Sequence, residues 1–209
     1  MRALITGAVG DIERFFYHSR PTMERYAERH GYDLLDGPWD TNGRDGYWMK
    51  LAAILGTWSR FNEVLWVDAD VIITEDAPDI FDEVPGSRWL GIAEHASAKE
   101  GPHPNVGVMA IRTVPQARRF FLKAWRRYGR YPGHRWNDQV PVMDLLGYST
   151  TFPVTWRGPT EYTEGVQMLN REWNALPRFG ESGYFLHFAG VPVDVRLGML
   201  HKLITGAPR

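Results

Sequence analysis

Val64-Leu65-Trp66-Val67-Asp68-Ala69-Asp70-Val71-Ile72-Ile73 sets two carboxylates, two residues apart, inside an apolar and β-branched run. Bounded by Asn62-Glu63 and Thr74-Glu75-Asp76, the run reads as a buried strand of a parallel sheet. In an extended chain residues i and i+2 point the same way, so Asp68 and Asp70 are expected on one face. Like charges this close at the end of a buried strand repel and lose hydration, so unaided at least one stays protonated. A divalent cation resolves the conflict, because Mg2+ and Mn2+ prefer hard carboxylate oxygens. The expectation is a metal-dependent site at the carboxyl end of this strand; the plain alternative is a strand end running into an acidic loop.

Upstream, Ala3–Val9 reads as a first strand, Arg20-Pro21 to Gly31 as a helix, and Tyr32–Leu35 as a second strand. After a Gly/Asp/Asn loop over Gly37–Gly46, Tyr47–Arg60 reads as a helix with the apolar stripe Trp48, Leu51, Ala52, Leu55 and Trp58. Downstream, Trp89–Ala93 and Val106–Ile111 are strand-like, and Glu94–Pro104 between them reads as an exposed functional loop. Val114–Tyr128 and Asn137–Leu146 follow as helices, Thr150–Val154 and Tyr184–Phe188 as short strands, and Val193–Leu203 as a last helix. Strands alternating with helices predict a single α/β domain with a mostly parallel central sheet flanked by helices. Ligands in such folds sit at the carboxyl ends of the strands. Within that one domain, residues 1–75, which carry the Asp pair, and residues 76–209 are expected to form two halves.

The net charge of −1 over 209 residues provides no basic field for nucleic acid. Cysteine is absent, which excludes disulfides, thiol nucleophiles and Cys-ligated zinc and is compatible with a reducing cytoplasm, the expected location. Met1–Thr6 meets Asp11 and Glu13 too soon for a signal peptide, and no run approaches the ~20 apolar residues of a membrane span. Ile5-Thr6-Gly7-Ala8-Val9-Gly10-Asp11 invites a dinucleotide reading, but Glu13 stands where the third glycine belongs, and the Asp11/Glu13 pair would repel a pyrophosphate. The same loop, with Thr6 and Ala8, is expected to hold the base and ribose of a mononucleotide.

Four further stretches accompany the Asp pair: Trp48-Met49-Lys50-Leu51, Asn105-Val106-Gly107-Val108, Trp136-Asn137-Asp138-Gln139 and Leu186-His187-Phe188-Ala189-Gly190. In order and spacing, over Tyr47–Gly190, they resemble the GT-A (Rossmann-like) glycosyltransferases that use nucleotide sugars. The nearest resemblance is to the retaining family of fungal galactosyl- and mannosyltransferases and plant xyloglucan xylosyltransferases. The glycogenin-like and lipopolysaccharide galactosyltransferases look more distant. The resemblance implies a Mn2+ (or Mg2+) cofactor held by Asp68, Asp70 and His187. It implies a nucleotide-sugar donor, UDP-linked, contacted by Asp68, Lys50, Asn105, Gly107 and Gly190. Gly107 would let the sugar approach the backbone, Asp138 would bind a sugar hydroxyl, and Gln139 would stabilise positive charge at the anomeric carbon. The acceptor would be a saccharide, glycoconjugate or small molecule bearing a hydroxyl, bound by Glu94–Pro104 and Arg157–Trp173.

Relatives often carry a lysine just after the His-Phe-x-Gly segment; Val191–Arg196 lacks it, leaving Arg196 or Lys202 as substitutes. Retention follows from the resemblance alone, and an inverting enzyme would need a general base such as Asp138, Glu161 or Glu164. The rival readings are a non-catalytic nucleotide- or sugar-binding domain and a sugar-nucleotide nucleotidyltransferase. The latter calls for a basic phosphate loop where Gly7–Arg14 is acidic.

Overall fold

The chain runs β1 (Arg2–Thr6), α1 (Glu13–His30), β2 (Asp33–Asp36), α2 (Met49–Thr57), β3 (Glu63–Val67) and β4 (Val71–Ile73). It continues through β5 (Leu90–Ser97), β6 (Gly101–Arg112), α3 (Pro115–Trp125), α4 (Gln139–Leu145), β7 (Val166–Leu169), β8 (Phe185–His187) and α5 (Val193–Thr205). The structure is a computed structural model describing residues 1–97 and 99–205. Six strands form one sheet in the order β2-β1-β3-β6-β5-β7, all pointing one way except β6. β4 and β8 pair antiparallel in a second, two-stranded sheet.

The central strands are apolar at consecutive positions because both faces are covered. In β3, Val64 and Trp66 join the core under α2, α3 and α4, with Leu51, Ile54, Phe120 and Val142. Leu65 and Val67 face the other way, onto Met23, Tyr26 and Ala27 of α1. All four of these β3 side chains are at most 2% exposed, each worth roughly 1.5–3 kcal/mol of burial. A smaller cluster of Phe15, Leu186, Phe188 and Leu200 seats α5 against α1 and β8.

The single α/β domain and its mostly parallel sheet match the sequence reading; several elements differ. The first helix starts at Glu13, so Pro21 lies inside it. Proline is tolerated there because it is on the exposed face, and the carbonyl it leaves without an N–H belongs to Tyr17, whose residue is 79% exposed. Gly31 does end the helix, in the left-handed conformation at φ 71°. In α2 the buried face is Leu51, Ala53 and Ile54, whereas Ala52, Leu55 and Trp58 are half-buried. Thr150–Val154 is not a strand, and β7, a short edge strand, appears where only loop was expected.

Glu94–Ser97 and Gly101–Pro104 are not loop but the outer arms of the β5–β6 hairpin, with His95 paired across to His103. Both imidazoles are 4% exposed, and His103 packs on Trp136 at 4.3 Å, which is how a polar stretch comes to be buried. Burial, helped by the neighbouring His187, His103 and Arg171, holds His95 down at about 3. An unfolded histidine titrates near 6.5. Between those values the unfolded chain binds the extra proton, so stability should fall as pH drops from about 6.5 toward 3, by at most ~1.4 kcal/mol per pH unit. Urea denaturation at pH 7 and pH 5 should show a smaller loss for His95→Gln than for the wild type. Equal losses would mean that His95 takes up its proton without unfolding.

Candidate active site

The Asp-x-Asp stretch is where the chain leaves one sheet for the other. Asp68 N–H donates the last bond of the main sheet to Gly107 O at 2.8 Å, just beyond the Val67–Val108 pair. A turn closed by Val71 N–H on Asp68 O at 3.1 Å then redirects the chain into β4. The expectation that Asp68 and Asp70 share one strand face is therefore corrected: they are brought together by a turn between sheets. In β4 Val71 lies opposite His187, and Phe188 N–H bonds Asp70 O at 2.9 Å, so β8 delivers His187 to the carboxylates.

One ligand atom from each of Asp68, Asp70 and His187 lies within 4.8 Å of the others. His187 Nε2 is 3.3 Å from Asp70 Oδ1 and 3.8 Å from Asp68 Oδ2. Two hard carboxylates and an imidazole form a donor set that suits Mn2+ or Mg2+. Burial pushes the Asp68 carboxyl up, against the pull of Lys50 and His187. Burial acts on Asp70 too, but His187 and Arg196 outweigh it and hold the group down at about 2. Arg196, from α5, pairs with Asp70 Oδ2 at 2.8 Å.

Lys50 is 6% exposed, and its ammonium bridges Asp68 Oδ1 at 3.0 Å, Asp138 Oδ2 at 2.9 Å and Val106 O at 3.1 Å. Burial alone would lower its pKa; Asp138 and Asp68 more than compensate and raise it. It is brought there by the 3-10 turn Gly46–Trp48 that leads into α2, where the Asp45 side chain accepts from Tyr47 N–H at 3.1 Å. Trp66 Nε1–H donates to Asp68 Oδ1 at 2.6 Å. Asp138 occupies the N-cap position of α4 without capping it, its carboxylate turned instead to Lys50.

These groups line a cleft of about 720 Å3. Of the residues singled out from sequence, Lys50, Asp68, Asp70, Asn105, Gly107, Asp138, Gln139, His187 and Gly190 line it. Thr6 and Ala8 do not: Thr6 is fully buried, and Gly7 and Val9 form that wall instead. At Gly107 a β-carbon would overlap the His187 ring, so the packing of β6 against that imidazole by itself requires a glycine. Gly190 is held in the left-handed conformation at φ +73°, which favours glycine, with the Arg178 guanidinium beside it. Arg178 and Arg196 both line the cleft; Lys202 is exposed on α5 and does not. The hairpin contributes Glu100 and His103 to the lining, whereas Arg157–Trp173 contributes nothing. Sequence reasoning also missed Asn174, which is fully buried and accepts at Oδ1 from His187 Nδ1 at 2.8 Å.

No family model matches the chain, and no curated protein matches it in sequence. Solved structures do match. A glycosyltransferase involved in glycosylation of the major capsid of PBCV-1 superposes with a TM-score of 0.71 at 16% identity, over 96% of this chain and 98% of that one. GT-A is the fold of this chain. The glycosyltransferase GlyE of Streptococcus pneumoniae shares the fold at TM-score 0.64 and 15% identity, this chain spanning 59% of its length. The galactosyltransferase LgtC, solved with donor and acceptor sugar analogs, matches at TM-score 0.55 and 13% identity over 98% and 94% of the two chains. In this GT-A fold the Asp68–Asp70 turn opens onto the cleft, and among the described residues no helix is long and apolar enough to cross a membrane.

Proposed function

We propose that this chain is a metal-dependent glycosyltransferase that moves a sugar from a nucleotide sugar, UDP-linked, to a hydroxyl of a saccharide, glycoconjugate or small-molecule acceptor, with retention at the anomeric carbon. The observation that carries the reading is the convergence of Asp68, Asp70 and His187 with Asn105, Asp138 and Gln139 on one cleft of the GT-A fold. Asp68, Asp70 and His187 would hold Mn2+ or Mg2+, which supplies Lewis acidity toward the departing nucleoside diphosphate. Arg196 and Arg178 add positive charge on the same wall, in place of the lysine missing after Gly190.

Retention is supported by the pairing of the carboxylates: among the described residues lining the cleft, none outside the proposed metal set is without a basic partner. Glu161 pairs with Lys123 at 3.0 Å, and neither it nor Glu164 lines the cleft. Asp138 is neutralised by Lys50, and Glu100 by Arg135 at 2.6 Å. Gln139, 7% exposed, carries no charge; its amide oxygen accepts from Val106 N–H at 3.4 Å, and its remaining lone pair is what it would offer an electron-poor anomeric carbon while the acceptor attacks from the side of the departing phosphate. Gln139→Ala should bind UDP as the wild type does yet lose on the order of 10²-fold in kcat, as removal of one preorganised dipole commonly costs. Unchanged turnover would move Gln139 to a structural role. Calorimetric titration with UDP, with and without Mn2+, against GDP and NAD, tests the whole reading: UDP binding that requires the metal supports it. No nucleotide binding under any condition would leave a non-catalytic domain.

A further inference from the structure

Behind the metal ligands runs a chain of hydrogen bonds whose polarity is fixed at one end by the backbone. Gly107 N–H can only donate, and it donates to Asn105 Oδ1 at 2.9 Å. That makes Asn105 Oδ1 an acceptor, so the Asn174 group facing it at 3.0 Å is the Nδ2 amide. Asn174 Oδ1 must then face His187, where it lies 2.8 Å from Nδ1. An acceptor there requires Nδ1 to carry a proton, so Nε2 is the nitrogen turned toward Asp70 and Asp68, and in the neutral ring it is the one whose lone pair a cation would take. The same logic turns Asn105 Nδ2, which bonds no other described residue, into the donor available to the cleft.

We infer that Asn174 is a positioning residue that couples the cation site to donor-sugar recognition, its one amide setting the His187 tautomer and the orientation of Asn105 together. The inference rests on the glycosyltransferase reading above. Asn174 itself touches neither ligand: it is fully buried at the end of the 3-10 turn Arg171–Asn174, and it does not line the cleft. His187 N–H bonds the carbonyl of the next residue, Ala175, at 2.7 Å, and Ala175 N–H bonds Phe185 O at 2.8 Å, which ties the turn to β8 on either side of the imidazole.

Two substitutions separate the two halves of the amide. Asn174→Asp keeps an acceptor for His187 Nδ1 but places a second oxygen against Asn105 Oδ1; the Asn105 amide can then satisfy Gly107 N–H or residue 174 but not both, and it loses its single orientation toward the cleft. Asn174→Leu, close in volume, removes both bonds. The probes are Mn2+ alone, followed by electron paramagnetic resonance, and calorimetry of UDP against UDP-glucose, UDP-galactose and UDP-N-acetylglucosamine. Asn174→Leu should lose about 10–100-fold in Mn2+ affinity, the usual cost of removing the partner of a ligating histidine. Asn174→Asp should keep Mn2+ affinity and UDP affinity while losing the wild type's preference for its best UDP-sugar over UDP. 15N spectra should show Nδ1-protonated His187 in the wild type and Asn174→Asp, and a mixture of tautomers in Asn174→Leu. An Asn174→Asp protein that retains the sugar preference overturns the coupling, as does an Asn174→Leu protein that is folded by circular dichroism and binds Mn2+ as tightly as the wild type. A wild type that binds neither Mn2+ nor any UDP compound overturns the glycosyltransferase reading first, and the two failures are told apart on that protein alone.

Discussion

Asp70→Ala is expected to abolish metal-dependent nucleotide binding and, with it, transfer, in a protein that remains folded. Asp70 is 6% exposed, and its side chain divides its oxygens between His187 and Arg196. Its backbone carbonyl, which the substitution leaves in place, accepts from Phe188 N–H at 2.9 Å and keeps β8 beside the turn. The variant therefore removes a ligand without removing the junction that presents it. Loss of a cation that offsets several kcal/mol of charge on the departing diphosphate corresponds to at least ~10³-fold in kcat/KM. Mn2+ titration followed by electron paramagnetic resonance, beside circular dichroism of the same sample, separates the two effects. Undiminished turnover in this variant would sink the assignment of Asp70 to the metal.

Lys50→Met should be the most destabilising single change in the site. Its ammonium is the shared counter-ion of Asp68 and Asp138 and also bonds Val106 O. Methionine fills the same space but leaves the buried Asp138 carboxylate facing Asp68 with nothing between them. Breaking a buried ion pair from one side costs ~3–5 kcal/mol. Urea denaturation at neutral pH reads this directly. A loss below about 1 kcal/mol would mean that both carboxylates regain water through the cleft, since exposed pairs are worth no more than that.

The legible parts of the fold were those where one physical requirement dominates. β3 could be read because a strand covered on both faces must be apolar at every position, and α3 because Phe120 and Phe121 sit on one amphipathic face. The break inside Val64–Ile73 could not be read, since valine and isoleucine on either side of Asp-Ala-Asp look alike whether the chain continues or changes sheets. Pro21 misled because its penalty vanishes where the orphaned carbonyl meets water. The polar hairpin arms misled because His95 and His103 bury each other, a pairing invisible without the register. Within the cleft, residues embedded in recurring local patterns, such as Asp68, Gln139 and His187, were found. Asn174 sits in no pattern, and only the spacing of β8 from the preceding turn brings it to His187.

The turn at Asp68–Asp70 makes the proposed metal site a seam. Asp68 is tied by its N–H to the six-stranded sheet, His187 belongs to the two-stranded sheet, and Asp70 lies between them. A cation gripping all three would act as a rivet joining two separately hydrogen-bonded layers, and any opening of the seam would scatter its ligands. Folding and cation binding are then a single linked equilibrium: at a Mn2+ concentration 100 times its dissociation constant the native state gains ~2.7 kcal/mol. The melting temperature becomes a gauge of occupancy that needs no donor, no acceptor and no turnover.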